Sequence, residues 1–313
     1  MAVILFTHWV PTEGFEALSE HELLIPGKFS FYSDAELMRL APKADAIVAG
    51  GKLTGKVIEK CGNLKIITSY GAGYDGVDIN AARKKNVYVT NIPHTVTNAT
   101  AELAVGLMLS VLRRIGEMNN RIRIDNSREL FGMGKNMGLS LNGLTLGIIG
   151  CGRIGKRVSA LARAFGMRVI GYSRSGADPE YFEPCGMDAL LASADVISVH
   201  CPLTDETRGM IDKKAFESMK KGAVLINTAR GAVIDTEALI ENLKSGHISG
   251  AGLDVYPDEP NIPEELTKFP NAVLTPHIGS NTQDTRREMA MAISGQILAV
   301  LNGERPAGIV NGL

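Results

Sequence analysis

The stretch that decides the fold is TLGIIGCGRIGKRVSALARAFG, residues 145–166. An apolar run leads into glycines at 150, 152 and 155 in the pattern G-x-G-x-x-G, and a segment with helical spacing follows. Gly150 permits a tight turn, Gly152 lets the backbone approach a pyrophosphate, and Gly155 lets helix and strand pack closely. Glycines also cluster in ordinary turns. The strand before the motif and the helix and second strand after it therefore carry the prediction of a dinucleotide-binding domain, with the phosphates at the helix N-terminus.

Apolar, strand-like runs alternate with helical patterns on both sides of this stretch. Before it lie AVILF, ELLI, AIVAG, LKIITS and VYVTN, and from it onward lie LTLGIIG, MRVIGYS, DVISVHC, GAVLINTA, ISGAGLDV and NAVLTPH. This β-α-β rhythm is typical of parallel sheets. A chain of 313 residues also exceeds the size at which one core usually suffices. The sequence therefore predicts two α/β domains, of which the second matches a complete doubly wound nucleotide domain.

Three further segments connect or extend these arrays. Residues 96–115, VTNATAELAVGLMLSVLRRI, predict one long connecting helix with Thr97 and Asn98 as caps and two arginines near its end. The Gly- and Met-rich residues 126–143 predict a loop that covers or embraces a neighbouring surface. Residues 281–304 predict a final helix that crosses back to the first array.

The net charge, the N-terminal sequence and the cysteine spacing limit which ligands and which cellular compartment are expected. A formal net charge of −1 offers no electrostatic field for nucleic acid or an anionic membrane, so a small-molecule partner is favoured. The opening MAVILFTHWV has no basic region and too short an apolar core for a signal peptide or a membrane span, so we interpret it as a first strand. The cysteines lie far apart without C-x-x-C spacing, which argues against disulfides or a metal cluster and favours the cytoplasm. They are Cys61, Cys151, Cys185 and Cys201.

The residues after the second strand of the nucleotide domain bear on the choice of cofactor. In NAD-binding domains an acidic residue there binds the adenosine ribose hydroxyls, whereas an arginine accommodates the 2′-phosphate of NADP. Here Ser173, Arg174 and Ser175 follow the strand, and the nearest carboxylate, Asp178, is displaced along the chain. NADPH is therefore the expected cofactor. NAD is the alternative if Arg174 is only a surface charge and Asp178 turns back to the ribose.

Three polar residues follow late strands of the second array, at the sheet edge where a doubly wound fold forms its ligand crevice. Arg230 follows AVLINTA, Glu259 follows the next strand, and His277 follows NAVLTP. Reduction of a 2-keto acid by hydride needs a proton donor, a cation for the carboxylate and a group that keeps the donor charged. His, Arg and Glu supply these roles. Each residue alone is equally compatible with a turn, a surface ion pair or a loop acid.

The segments GIIGCGRIG, LINTARGAVID, GAGLDVYPDEP and LTPHIGS occur in this order, and with them essentially the whole chain resembles the D-2-hydroxyacid dehydrogenases. The resemblance implies that His277 is the acid-base residue, Glu259 its partner and Arg230 the substrate-binding cation. It also implies that SYGAGYDGVD binds the substrate carboxylate through backbone N–H groups. The residues that would offer these groups are Ala72, Gly73 and Tyr74.

The glycine motif and the resemblance together imply a set of cofactor contacts. Asp254 would bind the nicotinamide carboxamide, residues 200–202 would lie beside the adenosine, and Thr100 would touch the cofactor from the hinge. The full set is Thr100, Gly150, Gly152, Arg153, Ile154, Gly155, Ser173, Arg174, Ser175, His200, Cys201, Pro202, Thr228, Asp254 and Gly279.

The architecture that the resemblance implies is an α/β protein with two doubly wound parallel-sheet domains. A Rossmann-type nucleotide domain, residues 98–281, is inserted into a flavodoxin-like substrate domain made of residues 1–97 and 282–313. The implied activity is NADPH-dependent reduction of a small 2-keto acid, of the glyoxylate or hydroxypyruvate class, to the D-2-hydroxy acid.

The resemblance further implies a homodimer, although many members carry a tryptophan before the glycine loop and the only tryptophan here is Trp9. Phe131 or the methionines would then replace the usual aromatic dimer contact. Two other functions stay open on this scaffold. One is a cofactor-sensing binding protein of the corepressor type, and the other is oxidation of phosphite or formate. Formate-oxidising relatives usually have glutamine where Glu259 stands, which counts against that function.

Overall fold

The computed structural model describes residues 1–125 and 128–313. These residues form two compact units, one made of Met1–Val96 with Ser280–Leu313 and the other of Thr97–Gly279. In the described part of the chain, none of the helices has the length and apolar character needed to cross a bilayer.

The first unit is built on a five-stranded parallel sheet. Its strands follow the order β2-β1-β3-β4-β5, which is the order of flavodoxin-like folds. Strands β3 and β4 are buried along their whole length, as expected for a parallel sheet covered on both faces. In chain order the elements are β1 (Val3–Phe6), β2 (Glu22–Leu24), α1 (Asp34–Leu40), β3 (Ala46–Ala49), α2 (Gly55–Lys60), β4 (Ile66–Ser69), α3 (Ile79–Lys84) and β5 (Tyr88–Thr90).

The second unit begins with α4 (Thr97–Leu112), which lies within the predicted connecting helix 96–115, and with a further helix, α5 (Ile115–Asp125), which the sequence analysis did not predict. The break falls at Arg114, which has a φ of 57° and binds Glu117 at 2.8 and 2.7 Å. Leu139 N–H donates to the Leu112 carbonyl and so closes the end of α4. A positive φ is uncommon for a residue other than glycine, so no local sequence signal marks this break.

The predicted loop 126–143 starts on two residues, 126 and 127, that lie outside the described part of the chain. From residue 128 onward the segment has a short 3-10 turn, Arg128–Leu130, and otherwise irregular backbone. Gly138 needs to be a glycine, because a Cβ there would lie 2.4 Å from the Leu112 carbonyl oxygen. The segment therefore folds back across the end of α4.

The remainder of the second unit is a seven-stranded parallel sheet in the order β12-β11-β10-β9-β6-β7-β8. This is the doubly wound order with the glycine motif after β6, the interior strand that pairs with β9 and β7, and it confirms the predicted fold class. The two-residue strand β8 is too short to appear as a sequence pattern. The elements are β6 (Thr145–Ile149), α6 (Arg153–Ala164), β7 (Arg168–Tyr172), β8 (Glu183–Pro184), α7 (Met187–Ser193), β9 (Val196–Val199), α8 (Lys213–Ser218), β10 (Ala223–Asn227), α9 (Thr236–Ser245), β11 (Ile248–Leu253), α10 (Glu264–Thr267) and β12 (Ala272–Leu274).

The final helix, α11 (Gln283–Leu301), belongs to the first unit. Thr282 caps it by accepting a hydrogen bond from Thr285 N–H. Its apolar side chains Met289, Ile293 and Ile297 are fully buried in the core that also contains β1 and β4 residues. The predicted return of this helix to the first array is therefore what the structure shows.

Candidate active site

The three glycines of the turn between β6 and α6 occupy positions that a side chain would disrupt or obstruct. Gly150 has a φ of 102°, and a Cβ there would lie 2.5 Å from the backbone of His200 and Cys201. A Cβ on Gly155 would lie 2.3 Å from the Gly150 carbonyl oxygen, so helix and strand touch at this point. At Gly152 a Cβ would meet nothing within 4 Å, which leaves its outer side open to a ligand.

The N-terminus of α6 is prepared for an anion. Gly152 is the N-cap and offers no side-chain hydrogen bond, so the first N–H groups of the helix, including those of Arg153 and Ile154, have no partner within the helix. Free N–H groups and the helix dipole favour a phosphate at this position. Beyond β10, the hydroxyl of Thr228 is buried without a hydrogen-bond partner among the described residues. A bound dinucleotide would give these donors and this orphaned hydroxyl partners.

The end of β7 carries the residues expected at the adenosine ribose. Ser173 Oγ and Ser175 Oγ lie 3.2 Å apart. Arg174 is 81% exposed and forms an ion pair with Glu206, which the sequence did not suggest. Both side chains are reachable from solvent, so a 2′-phosphate could compete for the guanidinium.

Asp178, the alternative ribose ligand, is engaged elsewhere. Its Oδ2 lies 2.7 Å from Lys156 Nζ, and its Oδ1 accepts a hydrogen bond from Glu180 N–H. The bond from Lys156, followed by the one from Glu180, holds the pKa of this carboxyl below its usual value. Asp178 would have to leave Lys156 before it could bind a ribose.

His277 and Glu259 form a direct pair at the C-terminal edge of the second sheet. His277 Nδ1 lies 2.6 Å from Glu259 Oε2, and Tyr256 N–H donates to Glu259 Oε1 at 3.0 Å. Burial by itself would raise the pKa of Glu259, but the bonds from His277 and Tyr256 and the nearby charge of Arg230 outweigh it and lower this pKa. The side chains of His277 and Glu259 are 49% and 34% exposed, so a ligand can reach the pair.

Arg230 reaches this pair because of the glycine that follows it. A Cβ on Gly231 would lie 2.0 Å from Tyr256 C and 2.4 Å from Pro257 N, so the two backbones are in direct contact. Asn227 Nδ2 donates to the Arg230 carbonyl, and Arg230 Nη1 donates to the Ala229 carbonyl at 2.7 Å. The structure thus brings Arg230, Glu259 and His277 together, and the sequence missed the role of Gly231 in doing so.

The loop that carries His277 is tied to the end of β11. Asp254 is 1% exposed, and its carboxylate faces this loop and not open solvent. It accepts hydrogen bonds from Thr275 Oγ1 at 2.7 Å and from Ile278 and Gly279 N–H at 2.8 Å each. A Cβ on Gly279 would lie 3.1 Å from Asp254 Oδ2 and 3.5 Å from Thr100. Of the expected cofactor residues, Asp254, Gly279 and Thr100 therefore form one packed group.

Two residues that the sequence did not single out complete this region. Thr275 supplies the hydroxyl that Asp254 accepts. The Tyr256 hydroxyl lies 3.2 Å from the Leu253 carbonyl and 3.1 Å from the Thr275 carbonyl, and burial followed by the Asp254 charge raises the pKa of Tyr256 to about 12. Tyr256 therefore stays a neutral donor that links β11 to the His277 loop.

The expected adenosine loop, residues 200–202, follows β9. His200 Nε2 lies 2.8 Å from Ser198 Oγ, while Nδ1 is buried without a partner among the described residues. Complete burial lowers the pKa of His200 to about 4, so the imidazole is neutral. Cys201 is buried, and burial raises the pKa of its thiol to about 11, which makes it an unreactive thiol. Pro202 accepts a bond from the Thr207 hydroxyl.

The expected carboxylate loop lies in the first unit, directly after β4. Ser69 Oγ donates to the Gly73 carbonyl at 2.5 Å and Asn91 Nδ2 donates to the Ala72 carbonyl at 2.7 Å. In the part of the chain that the structure describes, the N–H groups of Ala72, Gly73 and Tyr74 have no acceptor. The loop is thus held by its carbonyls and leaves three successive backbone donors free.

Comparison with known proteins places this geometry in a family. Residues 105–279 match the model described as D-isomer specific 2-hydroxyacid dehydrogenase, NAD binding domain. The chain is 45% identical over 290 residues to the glyoxylate reductase of Thermococcus litoralis, and the match covers 88% of this chain and 86% of that protein. The chain therefore belongs to the D-isomer specific 2-hydroxyacid dehydrogenase family.

Solved structures agree with this assignment over nearly the whole chain. A protein from Thermus thermophilus superposes with a TM-score of 0.91 at 39% identity and covers 98% of this chain and 99% of its own. An NADPH-dependent glyoxylate/hydroxypyruvate reductase from Sinorhizobium meliloti, in complex with NADP and malonate, has a TM-score of 0.89 at 30% identity and covers 99% and 96%.

Proposed function

We propose that this protein reduces a small 2-keto acid, of the glyoxylate or hydroxypyruvate class, to the D-2-hydroxy acid with NADPH. The observation that carries this function is the hydrogen bond of 2.6 Å between His277 Nδ1 and Glu259 Oε2, beside Arg230 in the NAD-binding unit. The relatives named glyoxylate reductase support the substrate class. A nicotinamide bound at the glycine turn would supply the hydride.

His277 is the proton donor in this proposal. A carboxylate only accepts hydrogen bonds, so Nδ1 of His277 carries the hydrogen that lies between it and Glu259. The opposite ring nitrogen, Nε2, is then the atom that gives a proton to the substrate oxygen as negative charge develops there. Glu259 keeps the ring in this orientation, because its own lowered pKa keeps it ionised and able to accept the hydrogen of Nδ1.

Arg230 and the free N–H groups of Ala72, Gly73 and Tyr74 bind the substrate in this proposal. A guanidinium can bind a carboxylate through two parallel hydrogen bonds, and its charge also polarises a neighbouring ketone. Three successive backbone donors hold an anionic oxygen at a fixed place.

NADPH is the proposed cofactor because Arg174, Ser173 and Ser175 follow β7 and Asp178 is held by Lys156. The Sinorhizobium relative is described as NADPH-dependent and holds NADP. Glu206 opposes this preference, since its carboxylate lies on Arg174 and would repel a 2′-phosphate. We therefore expect a modest preference for NADPH and measurable activity with NADH.

A homodimer is part of the proposal. Large apolar side chains are exposed in residues 115–125 and 128–139, and a second copy of the chain would cover them. They are Ile115, Ile122, Ile124, Phe131, Met133, Met137 and Leu139. Replacing Ile124 by glutamate should shift the protein from dimer to monomer in sedimentation, and a monomeric wild-type protein would contradict the assignment. The four cysteines are free thiols, which fits the cytoplasm proposed from the sequence.

A panel of acids tests the function. The absorbance of NADPH should fall when the purified protein is mixed with glyoxylate or with hydroxypyruvate. Chiral analysis of the hydroxy acid formed from hydroxypyruvate should give the D isomer. The same protein should not reduce the oxidised cofactor in the presence of phosphite or formate. Cofactor binding without turnover on any keto acid would contradict the proposal and favour a cofactor-sensing binding protein.

A further inference from the structure

We propose that Asp254 is a positioning residue for His277, whose buried carboxylate fixes the loop 275–279 in the conformation that presents the imidazole. The proposal rests on the proposed role of His277 as proton donor. It assigns Asp254 a different task from the nicotinamide contact that the family resemblance implies.

The hydrogen bonds of the loop carry the proposal. Every backbone N–H from residue 275 to residue 279 donates to residue 253 or 254, apart from Pro276, which has none. Thr275 N–H donates to the Leu253 carbonyl at 2.9 Å, and His277 N–H donates to the Asp254 carbonyl at 2.9 Å. The Asp254 carboxylate then accepts the next two N–H groups, at 2.8 Å each. The backbone around His277 is thus held by two adjacent residues, Leu253 and Asp254, and Asp254 accepts the N–H groups of residues 277–279.

The conformation of His277 shows why such bonds are needed. Its φ is 52°, in the left-handed region that residues other than glycine rarely adopt. A backbone of this kind persists only where its surroundings hold it on several sides. Without the carboxylate, the two N–H groups after His277 would lose their acceptors and the residue could return to an ordinary conformation. The imidazole would then move away from Glu259.

The surroundings of Asp254 suit a structural anchor. The side chain is 1% exposed and three donors share its two oxygens, so its buried charge is stabilised by the loop itself. Gly279 allows this approach, because a Cβ there would lie 3.1 Å from Asp254 Oδ2. A carboxylate has about four acceptor positions. A nicotinamide amide could therefore donate to the remaining acceptor position. An experiment must separate this cofactor contact from the positioning of His277.

The test is a double-mutant cycle of Asp254→Asn and His277→Gln, with keto-acid turnover and NADPH affinity measured for each protein. Asparagine keeps the volume but turns an NH2 group towards a backbone N–H. We expect Asp254→Asn to lower kcat by about 10- to 100-fold in the wild-type background, since displacing a catalytic group by about 1 Å has this effect. In the His277→Gln background, Asp254→Asn should lower kcat little further. In the wild-type background, Asp254→Asn should change KM and NADPH affinity less than it changes kcat.

Asp195→Asn is the matched control. Asp195 also accepts a backbone N–H, that of Thr145 at 2.8 Å, but it lies at the N-terminal edge of the same sheet. It should keep wild-type kcat. If Asp254→Asn does not fold, Thr275→Val tests the same loop by removing only the hydroxyl that Asp254 accepts. Its loss of kcat should be smaller and should again vanish in the His277→Gln background.

The outcomes distinguish the positioning role of Asp254 from the proton-donor role of His277. An equal loss of kcat in both backgrounds with weaker NADPH binding would mean that Asp254 acts on the cofactor, and would overturn the positioning role alone. Wild-type kcat in Asp254→Asn, while His277→Gln is impaired, would also overturn it alone. Wild-type kcat in His277→Gln would overturn both the positioning role and the proton-donor role.

Discussion

Replacing Gly231 by alanine should damage the site without touching any proposed catalytic side chain. The new Cβ would lie 2.0 Å from Tyr256 C, so the two backbones must separate by about 1.4 Å to reach an ordinary contact of 3.4 Å. Neither atom is the end of a flexible side chain, so the strain moves Arg230 away from the turn that carries Glu259. A displacement of about 1 Å predicts a loss of about 100-fold in kcat/KM.

The same substitution should lower stability by about 1–3 kcal/mol, the usual effect of overpacking. For a unit of this size that corresponds to a fall of about 2–12 °C in Tm. Steady-state kinetics and thermal unfolding measure both effects. Gly106→Ala is the matched control, because Gly106 is exposed in the interior of α4 and a Cβ there meets nothing within 4 Å. It should keep full activity and gain stability. Wild-type kcat/KM and Tm in Gly231→Ala would refute this account of how Arg230 is placed.

Other substitutions test the site group by group. Arg230→Lys should raise KM and lower kcat together in steady-state assays, because a point charge cannot replace a planar fork of two donors; wild-type constants would remove the bidentate role. Glu259→Gln should lower kcat with little change in NADPH affinity, because an amide can turn its NH2 group towards Nδ1 and then no longer fixes the imidazole of His277; wild-type kcat would contradict the pairing. Arg174→Ala should remove a preference for NADPH over NADH of about tenfold, the value of one exposed charged contact, whereas Glu206→Gln should increase it. Equal wild-type efficiency with both cofactors would contradict these last two expectations.

The sequence predicted most of the fold because its signals are local. Each glycine of the turn at Gly150, Gly152 and Gly155 acts within a few residues of chain, and buried parallel strands are recognisable as continuous apolar runs. The order of neighbouring strands β10, β11 and β12 then places Arg230, Glu259 and His277 at one edge, since parallel strands end on the same side of a sheet.

What the sequence could not give depends on contacts between distant segments. Gly231 is required only because the backbone of residues 256–257 crosses it, and that crossing has no sequence pattern. The partners of Asp254 lie more than twenty residues away, so nothing in the sequence indicated that its carboxylate accepts hydrogen bonds from the His277 loop. The separation of α4 from α5 depends on the positive φ of Arg114, which no glycine or proline marks, so no sequence signal indicated that a second helix begins at Ile115.

The most direct test of the central claim is the turnover of His277→Gln with glyoxylate, measured beside NADPH binding in the same protein preparation. We expect kcat to fall by about two to four powers of ten, the usual contribution of a positioned acid-base group, while NADPH still binds with nearly wild-type affinity. Near-normal turnover in this variant would show that another group gives the proton, and the assignment of His277 as donor would be wrong.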